Sequence, residues 1–418
     1  KKNVIIMRNL IYKSVFLTLT IFVFSCDSDS DDDGSNLITA PETYEFTRNG
    51  ANSVIFSGQT TRLNQADELY GALNAETDEA SLMLMFAGSD GTSAGFANPD
   101  LNGTSKLIRS KTAASTLSGS ATTKARFDAM ITDFASNVVP NFNGDASQGV
   151  AGAMTTNDGG STYQFNAMGQ EMDQTFFKGL IGAFTLDQIV NNYIHPNQLD
   201  SGTRIDDNDN DVLSGDNNYT DMEHKWDEGF GYLYGQEPDI SVSGSTPGAV
   251  NGNLLMKYFE KVNDNYEPGI AQVVYDAFIM GRTAIVNKDY SLRDQQADII
   301  QVELSKVIGY YSIHYLNDYL SKMQSGNIAG AFHALSEAHG FILSLQFTNN
   351  GNDEPFMDKA TVEYFLDNYF ANFYAVAGME ASFGLISAGY NSANPSQSGM
   401  IAQIDAAFEA NGITLNID

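Results

Sequence analysis

The chain has 418 residues, a formal net charge of −30, 42% hydrophobic and 11% aromatic content, and one cysteine. That much apolar residue supports a large core or two smaller ones. The charge argues against nucleic acid as a partner, which needs basic patches, and the single cysteine rules out an intrachain disulfide.

Lys1, Lys2, Arg8 and Lys13 precede the apolar run SVFLTLTIFVFS (14–25), which is too short to span a bilayer. Cys26 follows at once. This order reads as a secretory signal over 1–25, and Val23-Phe24-Ser25-Cys26 resembles a lipobox, which would make Cys26 the acylated first residue of a lipoprotein. Residues 27–33 hold five aspartates in seven positions. Like charges and no apolar partner leave that stretch unable to fold, so 26–42 is expected to be an acidic tether. The acidic run also resembles a surface-export signal, which favours the cell surface over the periplasmic face of an outer membrane.

Residues 43–57 read as a β-hairpin, with Tyr44, Phe46 and Arg48 alternating with their neighbours and Asn49-Gly50 at the turn. Helical patterns follow at 62–75, 80–87, 121–139 and 168–194. The Gly/Asn/Ser-rich stretch 141–162 reads as a loop. Residues 197–219 form the strongest polar break, and a subdomain boundary is placed there: an N-terminal hairpin and helical subdomain over 43–200, then a C-terminal helical subdomain over 201–418. Helices are expected at 221–234, 252–263, 268–287, 292–323, 327–347, 358–389 and 397–410. The fold class is all-α, one or two packed helical bundles with a small hairpin.

The segments TYEFTRNGANSVIFSGQTTRL (43–63), MEHKWDEGFGYLYG (222–235) and AFHALSEAHGFILSL (331–345) resemble a family of Bacteroidetes lipoproteins carrying domain of unknown function 4856, itself distantly similar to the imelysins. The imelysin resemblance implies paired helical bundles and a role in iron or other metal uptake, or peptidase activity. Its motif is Gly-x-His-x-x-Glu. Here Gly330 to His333 and His333 to Glu337 are each one residue too widely spaced, and Met222 stands where His224-Lys-Trp-Asp227 would need glycine.

Two His–Glu pairs at helical i,i+4 spacing are the candidate metal ligands. In TDMEHKWDEGFGYL (220–233), Thr220 and Glu223 form a capping box, Asp221 suits the helix dipole, and Met222, Trp226, Phe230 and Leu233 make a core stripe. His224 and Glu228 lie on the other side, facing solvent or a cleft. Residues 327–347 are apolar nearly all round, yet His333, Ser336, Glu337, Gly340 and Ser344 share one stripe. A buried His333–Glu337 pair must be satisfied, by a core hydrogen bond or as a half-site lining a bundle interior. Ser336 and Ser344 are expected to bond backbone or a neighbouring helix, and Gly340 to let one approach.

Other polar features have plainer readings. DDNDND (206–211) fails the calcium-loop pattern, with Val212 and Asn218 where Gly and Glu are required. Arg282 is expected to pair with a buried carboxylate, His195 to suit a helix end, His314 and His339 to pack in or beside the core, and Ser291 and Asp294 to form a capping box. No G-x-S-x-G, H-E-x-x-H, P-loop or Rossmann fingerprint occurs. The leading expectation is a lipid-anchored outer-membrane accessory without enzymatic activity, serving metal (iron) or nutrient acquisition beside an uptake receptor. A metal-dependent hydrolase and a structural or glycan-binding lipoprotein are the alternatives.

Overall fold

The computed structural model describes residues 38–115, 121–246 and 254–417. Cys26, the signal segment and the tether up to residue 37 lie outside them. Helix accounts for 59% and strand for 5%, which makes the fold all-α with two minor hairpins. Ile38–Asp418 forms one compact unit, and residues on both sides of the polar stretch 197–219 share a single core.

The first hairpin pairs β1 (Thr47–Arg48) with β2 (Ala51–Asn52) through a left-handed Asn49-Gly50 turn. Then come α1 (Ser57–Ala72), α2 (Glu79–Ala87), α3 (Ile108–Lys111) and α4 (Ala121–Asp133). A second hairpin pairs β3 (Gly152–Thr155), inside the stretch 141–162 expected to be loop, with β4 (Thr162–Phe165), which starts at the last residue of that stretch. Its turn residues hide two short strands, the second of which, Thr-Tyr-Gln-Phe, has strand-favouring composition. The chain continues through α5 (Met172–Leu180), α6 (Pro196–Leu199), α7 (Arg204–Asp209) and α8 (Asp221–Tyr234). It ends with α9 (Leu255–Asn265), α10 (Ile270–Asn287), α11 (Tyr290–Gln324), α12 (Ile328–Ser344), α13 (Lys359–Asn368), α14 (Phe373–Phe383) and α15 (Met400–Glu409). The helix expected over 358–389 is thus two, because Asn372 caps a new start by accepting the Tyr374 N–H. The cap before α11 is Asp289, which accepts the Leu292 N–H, and Ser291 lies inside the helix.

At the centre α11 packs against α10 and α12, and α12 against α5. The α5–α12 contact is close because both helices carry glycine there. A methyl group on Gly340 would lie 2.7 Å from the Gly179 nitrogen and 2.8 Å from the Thr175 carbonyl oxygen. After Leu180 the α5 helix widens into π turns over Ile181–Leu186 and Ile189–Tyr193, which disturbs its own hydrogen-bond ladder. Ser344 compensates from α12: its hydroxyl accepts the Gly182 N–H (3.1 Å) and lies 2.9 Å from the Lys178 carbonyl. The expectations that Ser344 bonds a neighbouring helix and that Gly340 lets one approach both hold.

The first hairpin is fastened to α8 by a buried polar network. Arg282 pairs with Glu223 (2.9 Å) and Asp227 (3.0 Å), Arg48 reaches Glu223 (2.9 Å), and the Tyr44 hydroxyl donates to Asp227 (2.7 Å). The Tyr44 ring stacks on Phe230 at 3.6 Å. Burial pushes Asp227 up to about 6 against the pull of Arg282. Burial also opposes the Glu223 charge, yet Arg282, the Thr220 amide and Arg48 hold its pKa below the ordinary value. The Thr220–Glu223 capping box is present in full, so Glu223 both starts α8 and anchors the hairpin.

Candidate functional site

Helix α12 brings His333 and Glu337 one turn apart, with His333 Nε2 3.4 Å from Glu337 Oε2. The ring's other nitrogen, Nδ1, is 2.6 Å from Oε2 of Glu171, the residue that opens α5. Glu171 is held in place by Ser336, whose hydroxyl accepts the Glu171 N–H (2.9 Å) and donates to the Phe332 carbonyl (2.8 Å). Lys178, two turns along α5, closes the row at 3.5 Å from Glu337 Oε1. Acid and base therefore alternate from Glu171 through His333 and Glu337 to Lys178.

Asp173, in the first turn of α5, accepts from the Gln174 amide at 2.6 Å. The Gln174 amide also lies 3.3 Å from the Tyr70 hydroxyl. Glu171 and Asp173 are each only 5% exposed, so two carboxyl groups sit out of water close to one histidine. Burial, and next the Asp173 charge, push Glu171 up to about 8 against the hydrogen bond from His333. Burial likewise raises Asp173, opposed by Lys178 and His333. For His333, burial opposes the charged form, but the hydrogen bond and charge of Glu171, with Glu337 behind, raise its pKa. Burial works against the Lys178 charge too, and Tyr258 and Glu337 more than offset it. Glu171, Asp173, His333 and Lys178 thus keep their protons to higher pH than they would in water.

Glu171, Asp173, Gln174 and His333 line a cleft of about 490 Å³ together with Tyr70, Asn74, Phe134, Phe142, Tyr163 and Gln164. Tyr163, from β4, stacks on the His333 ring at 4.2 Å and 13°. The cleft offers aromatic faces beside acceptors and amides, within the usual size of a small-molecule site. Acid–base transfer from Glu171 and hydrogen-bonded recognition of a polar solute are both within its chemistry.

The donor set does not suit a metal ion as arranged. Glu171 and Glu337 flank opposite ring nitrogens of His333, so both nitrogens are engaged and the three do not converge on one point. Lys178 adds a positive charge at Glu337. Among the described residues, no group of three His, Cys, Asp or Glu side chains is placed to hold a metal.

The second candidate pair, His224 and Glu228, lies 4.0 Å apart on α8, with a separate set of partners. Glu228 accepts from Lys225 (2.7 Å) and from Gln59 of α1 (2.9 Å), and His224 stacks on Tyr219 at 4.6 Å. That face is half-buried under α1, and burial holds His224 below its usual pKa despite Glu228. Arg282 makes the expected buried pairs. His195 caps the start of α6 and meets Asp353 at 2.6 Å. His314 meets the Tyr266 hydroxyl at 2.6 Å, and His339 is buried.

Glu171, Asp173, Lys178 and Tyr163 escaped the sequence reading. The first three had a signal. Gln170, Glu171, Asp173, Gln174 and Lys178 are polar residues at the start of a buried helix, the same anomaly that marks His333 and Glu337.

The family model described as Domain of unknown function (DUF4856) matches residues 41–383. That span covers both hairpins, every helix from α1 to α14, and all the residues of the cleft. No match is found among curated proteins or among solved structures. By that match over most of its length, the chain belongs to the DUF4856 family.

Proposed function

We propose that this protein is a binding protein without enzymatic activity, held at an outer membrane by a lipid on Cys26, and that the Glu171–His333 cleft takes a small hydroxyl-rich solute such as a sugar unit. One observation carries the reading: buried carboxyl groups and amides line a single cleft together with Tyr70, Phe142 and Tyr163, the last with one ring face on His333. Sugars present apolar ring faces and donor hydroxyls together, which is what such a lining satisfies. The lipid anchor, the surface position and the likeness to Bacteroidetes lipoproteins rest on the sequence resemblance, and delivery to an uptake receptor would follow capture. The imelysin resemblance suggests metal or iron as cargo, but the donors around His333 are turned toward one another.

A second reading, hydrolysis with Glu171 as general acid, rests on its raised proton affinity beside His333. A panel of neutral mono- and oligosaccharides, screened for both binding and turnover, separates the two. Binding without turnover, weakened in Tyr163→Ala and Asp173→Asn, supports the proposal. Turnover lost in Glu171→Gln supports the second reading. Binding unchanged by all three substitutions removes the cleft from both.

A further inference from the structure

A second cavity, of about 320 Å³, lies between α4, α5, α12 and α13. His339 reaches it from α12. This histidine is 5% exposed and, unlike His333, has no hydrogen-bond partner on either ring nitrogen. Buried polar groups are almost always paired, and the chain gives this one only ring neighbours, Phe370 at 5.3 Å and Phe373 at 6.3 Å. Burial, with the Arg126 charge, pushes its pKa down to about 3, so the imidazole is neutral and offers one N–H and one lone pair. The walls include Met130, Met172 and Leu366.

The rim decides the charge of an occupant. Arg126 lines the cavity but is already held between Glu363 (2.5 Å) and Asp367 (2.8 Å). Asp133 adds a third carboxylate, itself bonded to Asn137 (2.6 Å) and Asn166 (2.7 Å). The two lining acids, Asp133 and Asp367, outnumber the one base and repel an anion, while a cation at the ring would sit close to the Arg126 charge that already disfavours a positive imidazole. We propose that this cavity is a second binding site, for a small uncharged amphiphile whose apolar body fills the cavity and whose hydroxyl group bonds a ring nitrogen of His339. It stands independently of the cleft at Glu171.

Cyclohexanol and p-cresol are suitable probes, with benzoate and benzylamine as charged counterparts. Histidine-selective ¹⁵N labelling gives five side chains to follow, and His339→Phe identifies the one at issue. The expected result is a saturable shift of the His339 nitrogens with the two neutral probes only, and probe affinity measured by calorimetry that falls about tenfold in His339→Phe, as loss of one hydrogen bond implies. Ala371→Trp, at an exposed wall position, closes the cavity without touching the core and should abolish the shift. An unmoved His339 signal, an effect that survives Ala371→Trp, stronger binding of either charged probe, or ordered water alone on the ring nitrogens with the probes present would each overturn the proposal.

Discussion

Gly340→Ala tests whether the contact between α5 and α12 holds the site together. The added methyl would sit 2.7 Å from the Gly179 nitrogen and 2.8 Å from the Thr175 oxygen, where comfortable contact begins near about 3.5 Å. Both are backbone atoms and cannot rotate away, and the Lys178 Cβ, fixed to the same backbone, lies nearer still, so the helices must part by roughly 1 Å. Overpacking of this kind costs about 1–3 kcal/mol, here toward the upper end. The better helix propensity of alanine returns about 1 kcal/mol, leaving a net loss of about 2 kcal/mol. The same displacement stretches the 2.6 Å contact between Glu171 and His333, so solute binding should fall with stability. Urea unfolding gives the stability, and Gly378→Ala in α14, where the new methyl meets nothing within 4 Å, is the control, expected to stabilise by up to about 1 kcal/mol. If Gly340→Ala behaves like Gly378→Ala, the close-approach argument is wrong.

Arg282→Met should destabilise by about 3–5 kcal/mol, because it takes the guanidinium from the fully buried Asp227 and leaves Glu223 to Arg48. The loss should shrink as pH falls and those carboxylates take up protons, and a pH-independent loss would speak against the ion pairs. Thr220→Ala removes the cap of α8 and its bond to Asn208, and thermal unfolding should report a loss of about 1–2 kcal/mol. Glu171 sets a pH dependence whose sign is fixed by its raised pKa. Its contribution is complete below about 4.5, where folded and unfolded chains are both protonated, and is lost as pH rises toward about 8. Between those values stability should fall by at most about 1.4 kcal/mol per pH unit from this group, with His333 acting in the same direction. Glu171→Gln should therefore gain on the wild type as pH rises, and parallel stability curves would refute the assignment.

Much of this architecture is legible in residue spacing. The capping box at Thr220 and the range of α8 follow from local chemistry alone. The buried stripe of His333, Ser336, Glu337, Gly340 and Ser344 is legible because polar residues on an all-apolar helix need partners. The identity of those partners is not, since Glu171 is 162 residues from His333 in sequence and no local rule pairs them. Tyr163 was hidden for a different reason: Gly, Asn and Ser around β3 and β4 signal turns more loudly than four-residue strands signal themselves. The split between α13 and α14 did carry a cap signal in Asn372, masked by continuous apolar periodicity on both sides.

A crystal structure with a bound sugar from the panel tests the central claim most directly. The account predicts the sugar ring against Tyr163, with hydroxyl groups donating to Glu171 or Asp173 and the Glu171–His333 contact retained. A sugar that binds in solution but sits elsewhere, leaving this cleft empty, would contradict it.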